Sequence, residues 1–132
     1  MLHRVTIVPR PQLPESQISA KALEKMSRWQ TEVVTRVAEA VEHKPIVVVG
    51  MAQNPHCKRA RKALEGAGKS FEYIEYGSYF SAWRERLAIK LWSGWPTFPQ
   101  VFVAGQLIGG EDLTKAAIAD GSLRKALESA QR

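Results

Sequence analysis

The sequence predicts an α/β domain: a small mixed sheet of four strands with helices on both faces. Three observations predict it. Ile46-Val47-Val48-Val49 is an unbroken β-branched run, which reads as a strand buried on both sides. Phe71-Glu72-Tyr73-Ile74-Glu75-Tyr76 alternates apolar and charged, as a strand with one wet face does. Gln100 to Val103 and Gln106 to Ile108 flank the turn pair Ala104-Gly105 in hairpin register. A helical pattern separates the first two runs. They form a β-α-β unit with parallel strands, and the hairpin adds an antiparallel edge.

Taken in order, residues 1–15 hold Pro9, Pro11 and Pro14, a density that rules out a helix and predicts an extended arm. Within it Val5 and Ile7 alternate with Arg4 and Thr6 as on an edge strand. Ser16 or Ser19 caps the first helix. From Ser19 to His43, Leu23, Met26, Val33, Val34, Val37 and Val41 recur near a 3.6-residue period. This is one helix, or two with a break near Trp29, and its apolar face packs in the core. Cations at His43-Lys44 and then Pro45 end it. Residues 1–29 form an N-terminal arm and helical extension, and residues 30–132 form the main domain.

The helix after the first strand starts at Cys57, with Ala60, Ala63, Leu64 and Ala67 at three- and four-residue steps, and stops at Gly66-Ala67-Gly68. Gly77-Ser78 turns the chain after the second strand. The next helix, to about Trp92, puts Phe80, Trp83, Leu87 and Leu91 on one face. Pro96 and Pro99 bracket a loop. Gly109-Gly110 leads into Glu111-Asp112, acids at the start of another helix. Asp120-Gly121 breaks it, and a last helix spans about Ser122 to Gln131.

A chain of 132 residues, 45% hydrophobic and 24% charged, fits one ordinary globular core. A single cysteine excludes an internal disulfide and suits a reducing compartment. No apolar stretch approaches membrane-spanning length, and the N-terminus lacks a signal-peptide pattern, so the cytoplasm is the expected location. The net charge of +6 raises nucleic acid as a partner. Lys and Arg are spread along the chain, without an RNA-binding or zinc-finger signature. Neither nucleic acid nor a membrane is expected as a partner.

One stretch concentrates the chemistry. Cys57 sits where the first strand hands over to a helix, after a polar loop from Gly50 to Pro55. The free N–H groups of a helix start carry partial positive charge. Lys58, Arg59, Arg61 and Lys62 add four cations within five residues. Both effects favour thiolate, the nucleophilic form.

Three motifs in order resemble the glutaredoxin family, closest to its monothiol branch. They are Pro55-His56-Cys57 followed by Arg61-Lys62, then Trp95-Pro96-Thr97-Phe98-Pro99-Gln100, and then Gly109-Gly110-Glu111-Asp112. The similarity covers roughly residues 30 to 129. It implies a thioredoxin-like fold and a cleft for glutathione. On that resemblance Cys57 is the nucleophile that forms a mixed disulfide with glutathione. Pro99 is a cis-proline that frees the Phe98 backbone for the cysteinyl part, with Thr97 beside it. Gly110 and Glu111 offer backbone N–H groups to the γ-glutamyl carboxylate. Asp112 holds the γ-glutamyl ammonium, and Arg86 holds the glycine carboxylate. Trp95 reads as core, and His56 as a solvated loop histidine or an acid–base group beside the thiol.

The pattern departs from the family at the site. Relatives read C-G-F-S where this chain reads Cys57-Lys58-Arg59-Ala60, and the usual upstream lysine is replaced near Met51 and Ala52. Lys58 or Arg59 is the expected substitute. With no second cysteine at Ala60, only an outside thiol can release a mixed disulfide at Cys57. The expected activity is glutathione-dependent monothiol exchange with glutathionylated or disulfide-containing proteins, by a monomer. The alternative is a [2Fe–2S] carrier, with Cys57 of each protomer as ligand in a glutathione-bridged homodimer. Both require an exposed, acidified sulfur beside Pro99 and the paired glycines.

Overall fold

The computed structural model describes residues 10–130. A single 3-10 turn, Glu15–Gln17, precedes ten regular elements. They are α1 (Ala20–Arg28), α2 (Thr31–His43), β1 (Ile46–Gly50), α3 (Pro55–Gly66), β2 (Glu72–Glu75), α4 (Trp83–Ser93), β3 (Gln100–Val103), β4 (Gln106–Gly109), α5 (Glu111–Asp120) and α6 (Ser122–Ala130). The proposed edge strand at Val5 and Ile7 lies outside the described residues.

The sheet order is β2-β1-β3-β4. β1 runs parallel to β2 and antiparallel to β3, and β3 pairs antiparallel with β4. The central position of β1 explains its composition: every residue of Ile46–Gly50 is buried. Its side chains alternate between two cores. Val47 and Val49 pack with Val37, Ile89, Phe98 and Phe102 on one face. Ile46 and Val48 pack with Leu64, Val101, Val103 and Leu123 on the other. Each such side chain stabilises the fold by about 1.5–3 kcal/mol relative to exposure, so the two-sided strand is the anchor of the domain.

Two expectations resolve here. The run from Ser19 to His43 is two helices, because Gln30 takes a left-handed conformation (φ 53°) directly after Trp29. Ser19 is the cap of α1, its hydroxyl accepting from the Ala22 amide at 3.1 Å.

A third outcome is a correction. The helix expected to carry Phe80, Trp83, Leu87 and Leu91 on one face begins only at Trp83. Phe80 precedes α4 and is 93% exposed, and Leu91 is 70% exposed. α4 turns inward instead through Arg86, Ala88 and Ile89. Small Ala88 permits close approach to the body, and Arg86 is drawn in by two loop carbonyls, so the bulky residues are left outside.

Candidate active site

The start of α3 lies earlier than the sequence suggests. Asn54 is the cap, Pro55 the first helical residue, and the Asn54 Oδ1 accepts from the amides of His56 at 2.8 Å and Cys57 at 3.1 Å. Asn at the cap and Pro at the next position are each favoured for physical reasons: the side chain satisfies orphan donors, and proline lacks one. Cys57 is therefore the third helical residue. The atom that faces the free amides of this helix is the Asn54 oxygen, not a sulfur.

This corrects the expected exposure and acidity of Cys57. Its side chain is fully buried. A Cβ built on Gly50 would lie 3.0 Å from the Cys57 Sγ and 2.9 Å from the Tyr73 hydroxyl, so sulfur and phenol crowd the same spot over the end of β1. The Arg61 guanidinium stacks 4.1 Å from the Tyr73 ring centroid. The Tyr73 hydroxyl donates to Glu75 at 2.9 Å. These groups form a cover. Burial pushes the thiol pKa up, against a hydrogen bond from the Met51 backbone and the charge of Arg61, which pull it down. Burial wins, and the resting sulfur is a protonated thiol.

Next to this covered sulfur opens a cleft of about 530 Å³ lined by His56, Trp95, Thr97, Phe98, Pro99, Gly110, Glu111, Asp112 and Leu113. Of the sequence-derived candidates, Thr97, Phe98, Pro99, Gly110, Glu111 and Asp112 thus come together. The Phe98–Pro99 peptide is cis. It interrupts the approach to β3, and among the described residues neither the Phe98 amide nor its carbonyl has a hydrogen-bond partner. Gly110 caps α5 without a side-chain bond, leaving the first amides of that helix open. A Cβ on Gly110 would stand 3.4 Å from the Pro99 carbonyl and 3.7 Å from the Trp95 Nε1, so glycine keeps the cleft floor clear. Trp95 is a wall of the cleft rather than core, and its buried Nε1 has no partner.

Arg86 is not in the cleft, which is a second correction. It is buried, and its Nη1 donates to the carbonyls of Tyr76, at 3.0 Å, and Ser81. It ties the loop after β2 to α4.

Glu111 does more than lend an amide. Its side chain, 8% exposed, accepts from Arg59 Nε at 2.7 Å and Lys115 Nζ at 2.7 Å, and its other oxygen lies 2.8 Å from His56 Nδ1. These partners, Arg59 first, hold its carboxyl far below the usual carboxylate range. The network pins the start of α3 to α5 and uses Arg59 structurally. His56 is helical and faces the cleft.

Three functional features escaped the sequence reading. Asn54 as cap was signalled by the Asn-Pro pair. Lys90 brings its Nζ to 5.6 Å from the ring centroid of Phe98, a residue that lines the cleft. The Tyr73–Arg61 cover had no local signal, since it joins β2 to α3.

Comparison with known proteins agrees with this geometry. The glutaredoxin family model matches residues 46–108. A glutaredoxin-like protein of Dictyostelium discoideum is 47% identical over 98 residues, 74% of this chain and 80% of that protein. Glutaredoxin-C6 of Oryza sativa is 33% identical over 90 residues, covering 68% of this chain and 80% of its own. Among solved structures, oxidised glutaredoxin 2 of Chlamydomonas reinhardtii aligns with a TM-score of 0.65 at 29% identity, covering 77% of this chain and 96% of that one. A buckwheat glutaredoxin–glutathione complex shares the fold, with a TM-score of 0.65 at 24% identity over 78% of this chain and 94% of that one. On the matched strands and helices, and on the relative in Dictyostelium, the chain belongs to the glutaredoxin family of thiol–disulfide oxidoreductases and has the thioredoxin-like fold.

Proposed function

We propose that the chain is a glutathione-dependent, monothiol oxidoreductase whose single sulfur is sheltered at rest. The observation that carries this reading is the cleft: a cis-proline edge with a free Phe98 backbone, facing an uncapped helix start, on either side of an open floor. A γ-glutamyl carboxylate suits the open amides of Glu111 and Asp112. The γ-glutamyl ammonium suits the Asp112 carboxylate. The cysteinyl backbone suits Phe98, beside Thr97. Lys90 takes the part expected of Arg86, a cation for the glycine carboxylate. The buckwheat protein, solved with glutathione, has this fold.

In exchange, the Cys57 thiolate attacks the glutathione sulfur of a glutathionylated protein, the protein thiolate leaves, and a second glutathione attacks the mixed disulfide to free Cys57 as oxidised glutathione departs. Each step needs Cys57 to emerge from under Tyr73 and Arg61. Glutathionylated and disulfide-containing proteins are the substrates, acted on by a monomer, and a reducing cytoplasm is the compartment that fits a lone thiol.

The burial of Cys57 favours a second reading, in which glutathione is held in the cleft without covalent exchange. One experiment divides the two. Incubate the protein with oxidised glutathione and record its intact mass, and in parallel titrate reduced glutathione by calorimetry. The first reading expects one glutathionyl adduct, lost in Cys57→Ser. Binding without an adduct supports the second. Neither adduct nor binding, or binding unchanged in Gly110→Val, which fills the cleft floor, sinks both.

A bridging [2Fe–2S] cluster in a homodimer would demand the same emergence of the sulfur. Its protein ligand would have to be Cys57, whose sulfur lies under the cover and outside the cleft lining.

A further inference from the structure

The outward face of α4 and its junction with α1 expose several large apolar side chains outside the cleft. Trp83, Leu87 and Leu91 repeat every four residues, so they stack on one side of the helix. Phe80 lies in the turn just before the helix and is exposed. Leu91 also belongs to a groove of about 470 Å³ closed by Met26 and Trp29 from the α1 end and by Trp92. Trp83 is 53% exposed and Met26 58%. Scattered exposed apolar residues need no explanation, but a continuous stripe joined to a groove marks an interaction site.

The charges around it define the occupant. Lys25 lines the groove, and Arg84 lies against the Trp83 ring at 4.5 Å. Among the described residues neither of these two cations is in a salt bridge. The nearest acid on α1, Glu24, is engaged with Arg28 at 3.3 Å. Two copies meeting on this face would oppose cation to cation across a two-fold axis, which disfavours self-association. We propose that the α1–α4 face docks an amphipathic segment of a partner protein, with apolar side chains for the stripe and groove and Asp or Glu for the cationic rim. The docking itself stands independently of the glutathione reading.

The test uses the full chain and three synthetic helical peptides with one Leu/Phe pattern at i, i+4 and i+7. Their polar faces carry Glu, Gln or Lys. Titrations read by tryptophan fluorescence are expected to rank Glu first, at least tenfold tighter than Lys, with an advantage that shrinks as salt rises. Arg84→Glu should compress that ranking. Leu91→Asp, at an exposed position, should abolish peptide binding and leave glutathione binding intact. Equal affinity for the three peptides, or none, overturns the proposal. So does binding to phosphatidylserine vesicles in place of the Glu peptide, or sedimentation showing a dimer that Leu91→Asp dissociates.

Discussion

Replacing Tyr73 with alanine should uncover Cys57, and the size of the effect comes from the contacts that hold the cover. The Tyr73 ring bears the Arg61 guanidinium at 4.1 Å, and its hydroxyl donates to Glu75 at 2.9 Å. A partly exposed cation–π contact contributes about 1–2 kcal/mol and the hydrogen bond about 1 kcal/mol. Loss of both, about 2–3 kcal/mol in favour of the open form, raises the accessible population roughly 30- to 150-fold at 1.4 kcal/mol per decade. Tyr73→Phe removes only the hydrogen bond and should raise it about fivefold.

The assay is alkylation of the single thiol by iodoacetamide at about pH 8, followed by mass, in native buffer and in guanidinium chloride. Wild type should react at least tenfold more slowly when native than when unfolded. Tyr73→Ala should close most of that gap while keeping its circular dichroism. A native wild-type rate equal to the unfolded rate, or a Tyr73→Ala rate equal to wild type, refutes the claim that these side chains shelter the sulfur.

Other outcomes rest on the same contacts. Because burial raises the Cys57 pKa, the folded state holds the thiol proton more tightly than the unfolded chain does; the resulting stabilisation is full below the ordinary thiol range near 8.5 and is lost as pH rises through the folded value. Urea midpoints measured from about pH 8 to 10 should therefore fall more steeply for wild type than for Cys57→Ser. Glu111 has the opposite sign: its lowered pKa gives stability that is present above the ordinary carboxylate range near 4.3 and lost as pH falls below it. Glu111→Gln should lose about 1 kcal/mol near neutrality, given its half-exposed partners, and should flatten the acid limb of the stability profile; an unchanged limb would place the acid sensitivity elsewhere. Asn54→Cys should give up a cap worth about 1 kcal/mol while placing a thiol at the open amides of α3, three residues before Cys57. Mild oxidation should then remove both free thiols as an internal disulfide, and two surviving thiols would show that residue 54 does not face the sulfur.

The strands were legible because their patterns state their burial directly. The run at 46–49 could only be central, and the alternation at 71–76 only one-sided. The cleft was largely legible too, since Trp95 to Gln100 and Gly109 to Asp112 act through backbone geometry that local sequence dictates. What the sequence concealed is long-range. An amphipathic period at Trp83, Leu87 and Leu91 identifies an apolar face but not whether this chain or another protein covers it. Arg86 reads as a free cation until the carbonyls of Tyr76 and Ser81, brought together only by the fold, consume it.

The sulfur shows why a small local error mattered most. Reading the helix as starting at Cys57 misplaced its start by only a few residues. Along an α-helix, two residues amount to about 200° of rotation and 3 Å of rise, enough to carry a side chain from the open end of the helix to the packed flank. The nearby cations, read from sequence as thiol activators, then divide by geometry. Arg59 is engaged with Glu111, Arg61 lies over Tyr73, and Lys58 and Lys62 are exposed. Of these cations Arg61 is the one whose charge bears on the thiol, and desolvation outweighs it. A charge cluster in sequence lowers a pKa only where the fold aims it at a solvated sulfur; at Cys57 burial is the larger effect.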